Sequence, residues 1–593
     1  MQLRRQGVWG YNLPPQVGTA VLPASFNIAG MIGRFSRGIT DLVEINQMSE
    51  IPTKLGNYKT GYLGRYVLEN FFQNLEGQSA KIFVKPYVAS DAVQAYDSLS
   101  DGSNPSLKIK SALAGTTDKS LDGNNTGYTL VNGNRFNTQV TSDAILGATS
   151  IVLDSVVGLR VGDVLKIISG ATTHYTKISV IDENTKTLTV LALTNAISEA
   201  DEVYAIGFKI ATYRKNENGV PIKIQIPENE YWLSMESENT EFYIGKRFKN
   251  HPYIDLEDLN SATTTYPGRI IADKTLTFLS SGSDGTSPTS TSNWNVYSSF
   301  DTKNIRFLFN SDTTLPGVNQ AGETYCINRL DSPIWIANIS NSLSKSDLIK
   351  EGQKYQRSNQ VQMVVCAGQK DLLVSDPIGK GINPTVNIPS VGAIAGAWIR
   401  TFFRFGFHRV PAGDDIPLLG FSSIANSNGN DFTEDDRTDI ANSGVNLIQT
   451  IPGRGVLVRS FYTPSTNIGS LYGHYLLMQN FIKISSVESL YRAENKPNRL
   501  SSLKMNGDAI KDFGRKLYSG SYPYGIDSGG AFGEYTKSDG NLSKFEDVFI
   551  VQADQFNNPN ESLVIGEGNI FVRFFPPPLL GSLAIGVGVL IPL

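Results

Sequence analysis

Imidazoles, clustered carboxylates and glycine-flanked arginines are the residues of this chain whose types could do chemistry. Their spacing decides against most of it. The four histidines, His174, His251, His408 and His474, are scattered, and none has the short spacing of metal ligands. Each is read as a structural imidazole, satisfied or exposed. Asp414-Asp415 and Glu434-Asp435-Asp436 invite a carboxylate or calcium site. The stretch 431–436 lacks the alternating ligands of a calcium loop, whereas Thr433 followed by three acids is the pattern of a capped helix start. Pro452-Gly453-Arg454-Gly455 is a tight turn, because no Gly-Lys-Ser/Thr follows to cradle phosphate. Cys326 and Cys366 could form one disulfide but no framework, which leaves a reducing cytoplasm as the default. No catalytic, cofactor-binding or metal residue is assigned.

Two segments carry more than isolated residues. Between 499 and 518 a helical pattern places Lys504, Lys511 and Arg515 on one face at spacings of seven and four, with Lys516 beside it. Such a face is either ordinary solvated surface or a contact for an acidic partner, and the residues alone leave both open. Near the end, large side chains alternate: Leu583, Ile585, Val587, Val589 and Ile591, with Ser582, Ala584, Gly586 and Gly588 between them. That is a period-two strand with one bulky and one nearly bare face, and its glycines fit strand packing better than a nucleotide fingerprint. It follows Pro576-Pro577-Pro578, carries no charged side chain after Arg573, and has no evident hairpin partner. An apolar strand with a naked backbone edge on a proline arm is expected to pair with the sheet of another subunit. The run 579–593 is short of the ~20 residues that cross a bilayer as a helix, and its alternation opposes a helix.

Around these segments the chain changes character several times. Residues 1–24 read as an extended arm, with Pro14, Pro15 and Pro23 blocking regular structure. A short buried strand at 26–33, a helix near 61–74 and a strand at 80–86 give a β–α–β order that predicts an α/β layer. Residues 91–140 are polar and read as surface loops. Four strand-like runs within 141–207 predict a small inserted all-β module, and the Ser/Thr/Gly tract at 280–295 reads as a mobile loop. Dense order returns from 383, with a helix from Thr433 to near Gly444 and a strand at 456–459. Helices follow at about 471–492 and 499–518, then a strand at 547–554. Gly507 and Gly514 weaken the second of those helices.

Composition sets the outer bounds. At 593 residues the chain exceeds a single core, so several domains are expected. Charged residues make up 18 % and glycines number 55, a balance suited to loop-rich β structure with broad protein–protein surfaces. A net charge of −4 gives no case for nucleic acid as the main partner. Met1–Gly10 holds Arg4 and Arg5 without an apolar run behind them, so no secretory signal is read.

Taken in order, four blocks resemble the sheath protein of contractile phage tails and related contractile injection systems. The first runs from Phe26 to Tyr87, with Gly33-Arg34, Arg37-Gly38, the Gly56 turn, Phe71-Phe72-Gln73-Asn74 and Ala80-Lys81-Ile82-Phe83-Val84. The second is Pro389-Ser390-Val391-Gly392-Ala393-Ile394-Ala395-Gly396-Ala397-Trp398, followed by His408-Arg409-Val410-Pro411-Ala412-Gly413. The third joins Gly444-Val445-Asn446-Leu447-Ile448 to Ile451-Pro452-Gly453-Arg454-Gly455-Val456. The fourth holds Phe481-Ile482-Lys483 with its helix to Pro497-Asn498, the basic helix, the 547–554 strand and the terminal strand. One departure is local: similar sequences have a small-residue run leading to Arg-Thr where this chain has Val458-Arg459-Ser460-Phe461-Tyr462-Thr463.

The resemblance implies an α/β and all-β multidomain subunit. Its α/β sheath core is built from N- and C-terminal parts of the chain, 25–90 and 386–568. Surface loops at 91–140, the β module at 141–207 and a variable outer domain at 208–385 are inserted between them. Extended arms lie at 1–24 and 569–593. It further implies stacked hexameric rings around an inner tail tube protein, with baseplate and tail terminator proteins as other partners. Lys504, Lys511, Arg515 and Lys516 then form a tube-facing helix, and Leu583, Ile585, Val587, Val589 and Ile591 an inter-subunit strand. No cofactor, nucleic acid or membrane insertion is implied. The implied location is a virion tail assembled in the host cytoplasm, or a bacterial cytoplasm for an injection system. Two other readings stay open: another self-assembling surface or capsid-type protein, and a carbohydrate-binding adhesive β protein. The last needs a cleft of aromatics and paired carboxylates that the sequence does not display.

Overall fold

The computed structural model describes residues 20–100, 105–114, 126–216, 219–236, 241–248, 251–259, 271–341, 343–421, 423–424, 432–491, 497–520 and 530–578. The strand expected at 583–591 and the first nineteen residues of the N-terminal arm lie outside them.

An eight-stranded sheet organises the chain. Its strands are β1 (Ile28–Gly33), β2 (Val43–Ile45), β3 (Lys81–Pro86), β4 (Phe307–Asn310), β5 (Ile334–Asn338), β6 (Met363–Gly368), β7 (Val445–Ile451) and β8 (Gly455–Val458), in the order β2-β3-β1-β4-β5-β6-β7-β8. The six inner strands are parallel, and short antiparallel strands β2 and β8 close the two edges. Parallel strands are covered on both faces, which is why β6 reads Met-Val-Val-Cys-Ala-Gly and is buried throughout. One face, with Met31, Ile82, Phe307, Ile336 and Val364, lies under helices α1 (Gly64–Leu75), α3 (Val391–Phe405) and α4 (Gly473–Leu490). The other, with Leu308, Trp335, Met363 and Val365, lies under α2 (Pro316–Asn328) and the aromatics Trp294, Tyr297 and Phe300. Cys366 belongs to the first face and Cys326 to the second, and both are free thiols. Burial pushes the Cys366 thiol up to about 12.

Helices α1 and α3 approach backbone to backbone through a glycine pair. A Cβ on Gly392 would stand 2.3 Å from the Val67 carbonyl, and one on Gly396 would stand 2.3 Å from that of Phe71. The small-residue run at 391–397 is therefore a close-approach surface.

Several boundaries expected from sequence are corrected. The core does not come from N- and C-terminal parts alone: β4, β5 and β6, the centre of the sheet, lie within 307–368, inside the stretch expected as an outer domain at 208–385. The polar segment 91–140 is not loops but three strands, Gln94–Ser100, Pro105–Ala114 and Thr126–Gln139. They are half-buried, so Leu107, Ile109, Tyr128 and Leu130 point inward while polar neighbours fill the solvent side. The 141–207 segment has a core of its own around Leu153, Leu165, Leu188 and Val203. It is not separate, however, because Thr126–Gln139 and Glu202–Lys215 pair along nearly their whole length and run out of it. The 280–295 tract is pinned by bridges Val93↔Ser283 and Tyr96↔Ser280, and Trp294 is buried. The 547–554 strand is a helical turn, Phe545–Val548, followed by β9 (Phe549–Gln552).

Candidate inter-subunit surfaces

Several of the residues with chemical potential are engaged by the fold. At the carboxyl ends of β1 and β4, where the strand order reverses, an open α/β sheet offers its ligand crevice. Here Asp312, whose side chain is fully buried, accepts from the Arg34 N–H at 2.8 Å, Arg34 Nε at 3.1 Å and the Leu63 N–H at 3.2 Å. That carboxylate holds the place an anion would take at the start of α1. Thr433 caps the helix Glu434–Asn442 with a reciprocal bond to Asp436. Lys345 and the cap hold the Asp436 carboxyl down at about 2. Asp414 pairs with Arg454, and Asp415 with Arg409 at 3.0 Å. Among the described residues no group of three His, Cys, Asp or Glu is placed to hold a metal. No helix among them is long and apolar enough to cross a membrane.

All four histidines are buried. His174 meets Asn195 at 2.9 Å, and His251 stacks on Phe248 while its Nδ1 accepts from the Ile254 N–H at 3.0 Å. Burial pushes His251 and His474 down to about 4. His408 and His474, distant in sequence, are electrostatic neighbours.

The basic helix is α5 (Leu500–Tyr518). Its glycines, which weakened the sequence pattern, face β9: a Cβ on Gly514 would lie 2.3 Å from the Phe549 ring, and one on Gly507 3.1 Å from Ala553. About 70° around the axis from those glycines, Lys504, Lys511 and Arg515 fall within about 40° of one another, while Lys516 lies about 100° beyond Arg515. The face is less basic than the lysines suggest. Asp508 and Asp512 are both exposed, and Asp508 lies in the stripe itself. Arg515 meets Asp512 at 3.1 Å and Glu546 at 3.6 Å, and lies over the Phe545 ring. Lys504 and Lys511 make no ion pair with a described residue. Lys516 instead borders a groove with Val21, Met505, Ala509 and Phe513.

Beside α5, β9 pairs with β10 (Phe571–Phe574) in an antiparallel hairpin. Residues 571–574, expected as the start of the extended 569–593 arm, thus pair within the chain itself. Among the described residues this sheet has two strands and both outer edges open. Phe549 and Val551 turn toward α5, while Ile550 and Phe571 are about half exposed. The connection between the strands adds Phe556, Val564 and Ile565, exposed by 84 %, 85 % and 70 %. Sequence reading did not single out this patch. The alternation Phe571-Val572-Arg573-Phe574 before the prolines was the available signal.

These features define an α/β fold with an eight-stranded core sheet, β-rich segments inserted along the chain and a two-stranded hairpin from which the chain departs. No family model matches the chain, and no curated protein does. Among solved structures it is similar to the helical sheath of the anti-feeding prophage in its contracted state, at 10 % identity over 98 % of this chain and 99 % of that chain, TM-score 0.48. It is also similar to the sheath tail protein of Listeria innocua, at 9 % identity over 94 % and 96 %, TM-score 0.42. A third likeness is to the sheath complex of an extracellular contractile injection system, at 15 % identity over 48 % and 70 %, TM-score 0.38.

Proposed function

We propose that this chain is the structural subunit of a contractile sheath. It polymerises as stacked hexameric rings around an inner tube and contracts to drive the tube through a target envelope. The supporting observation is the β9–β10 hairpin. A two-stranded sheet is marginal in water and gains most from a third strand. This one keeps both edges open among the described residues and a half-apolar outer face. The chain leaves β10 directly into Pro576-Pro577-Pro578 and then the alternating segment with Leu583, Ile585, Val587, Val589 and Ile591. An acceptor edge and a donor strand on the same chain make a repeating link.

In this reading the partners are other copies of the chain, an inner tail tube protein, and baseplate and terminator proteins. The machine is a virion tail assembled in a host cytoplasm or an injection device in a bacterial one. The β-rich outer part faces away from the tube, where insertions least obstruct stacking. Lys504, Lys511, Arg515 and Lys516 face the tube through weak, screened contacts suited to release on contraction. Because Arg515 has intramolecular carboxylate partners, Lys511→Glu weakens tube binding more than Arg515→Glu. Normal assembly of the Lys511→Glu/Arg515→Glu double variant around the tube removes the tube-facing assignment. Negative-stain microscopy of the purified chain tests the whole reading. Striated hollow tubes are expected, and dispersed subunits or flat lattices at high concentration overturn it.

A further inference from the structure

We infer that helix α4 is the strut joining the two chain ends, with Ser485 and Ser489 positioning the N-terminal arm and His474 the C-terminal one. This rests on the reading of those ends as inter-subunit links. At the N-terminal root the Leu22 N–H donates to Ser489 Oγ at 2.9 Å and the Ala24 N–H to Ser485 Oγ at 2.9 Å. Pro23, between them, has no N–H, so two hydroxyls one helical turn apart satisfy the donors available there. Arg306 secures the same root, donating to the Ser25 carbonyl at 2.9 Å and to Glu488 of α4 at 3.2 Å. Phe26 then enters the core between Phe402 and Phe481, at ring distances of 5.4 and 5.5 Å.

At the other end of the helix, His474 Nε2 lies 2.8 Å from the Pro577 carbonyl. A carbonyl can only accept, so Nε2 carries the proton. The ring is fully buried and set edge-on against Tyr475 at 4.6 Å. Pro577 is in the last described stretch before the C-terminal segment. The two roots are eleven to fifteen residues apart on α4, about 16–22 Å along its axis. Leu477, Met478, Phe481 and Ile484 bury the helix between them in the core. A pull on either arm therefore passes along one rigid helix to the other, and bypasses the contact between α5 and the hairpin. Two links held at fixed separation keep their geometry while neighbouring subunits rotate as bodies.

The test uses the full chain. Ser485→Ala/Ser489→Ala removes both hydroxyls, and Ser489→Thr at the half-buried position retains one. His474→Leu removes the donor to Pro577, and His474→Gln supplies another. In the free subunit the Ala pair is expected to keep its cooperative melt while the Leu22 and Ala24 amides exchange about tenfold faster. His474→Leu is expected to expose 575–578 to proteolysis, with His474→Gln protected. Polymers of the Ala pair and of His474→Leu break to shorter lengths, and those of the conservative variants do not. Unchanged exchange at Leu22 and Ala24 overturns the strut, as does faster exchange with polymers of wild-type length. If wild-type chain forms no polymer, the reading of the ends as links fails first, while the exchange data still judge the anchors.

Discussion

The eight-stranded sheet and the β9–β10 hairpin are built from similar residues and finished in opposite ways. In the large sheet six parallel strands are buried on both faces, and short antiparallel strands β2 and β8 close its edges. In the hairpin one face rests on α5 through Gly514, and the other leaves Ile550 and Phe571 half exposed. The buried core is thus concentrated around the large sheet, whose six inner strands are paired on both sides. In the proposed sheath, assembly falls to the hairpin, which is incomplete alone. The proposed sheath subunit, moving against its neighbours without unfolding, would need that division.

Substitutions can break or sharpen this contrast. The largest effect belongs to the core: Trp335→Ala removes a fully buried indole that donates to Asn319 at 3.1 Å, and is expected to cost about 3–5 kcal/mol in denaturant unfolding. Next comes acid. The His474 imidazole is buried and held near 4, below the ordinary 6.5, chiefly by desolvation and also by His408. The unfolded chain therefore binds the extra proton first. Stability falls as pH drops from about 6.5 toward 4 and levels off below, by on the order of 3 kcal/mol for this group. His474→Gln flattens that part of the stability–pH curve, whereas an unchanged slope removes His474 from the acid response. Gly514→Ala is expected to unseat the hairpin at about 1–3 kcal/mol, seen as faster amide exchange in 549–552 with the large sheet still protected. Phe571→Ser has the smallest effect on the free subunit, within about 0.5 kcal/mol. It nevertheless shortens polymers, and a variant that unfolds the free subunit contradicts the division.

Legibility in the sequence followed the same divide. Helices with clean apolar periodicity or a cap were readable: 61–74 became α1, 471–492 became α4, and Thr433 caps its helix through Asp436. The centre of the large sheet was missed because α2 hides its own period. Its buried face holds Asn319, Gly322 and Glu323 between Val318 and Cys326. Asn319 reaches Trp335, Asn338 and Tyr355, and Glu323 accepts the Gln362 N–H and pairs with Arg357. With no helical pattern between them, the short runs that became β4 and β5 did not read as a β–α–β unit. Of the candidate surfaces, the lysine spacing on α5 was readable, but Asp508 and Asp512 were passed over. Ser485 and Ser489 look like any surface serines until the chain start is laid against them.

The most direct measurement compares the full chain with one ending at Pro578, by negative-stain microscopy alongside thermal melting of the free subunits. A donated terminal strand requires that both fold with the same melt, that the full chain form long striated tubes, and that the shortened chain remain as subunits. Tubes of the same length and repeat from the shortened chain would contradict it.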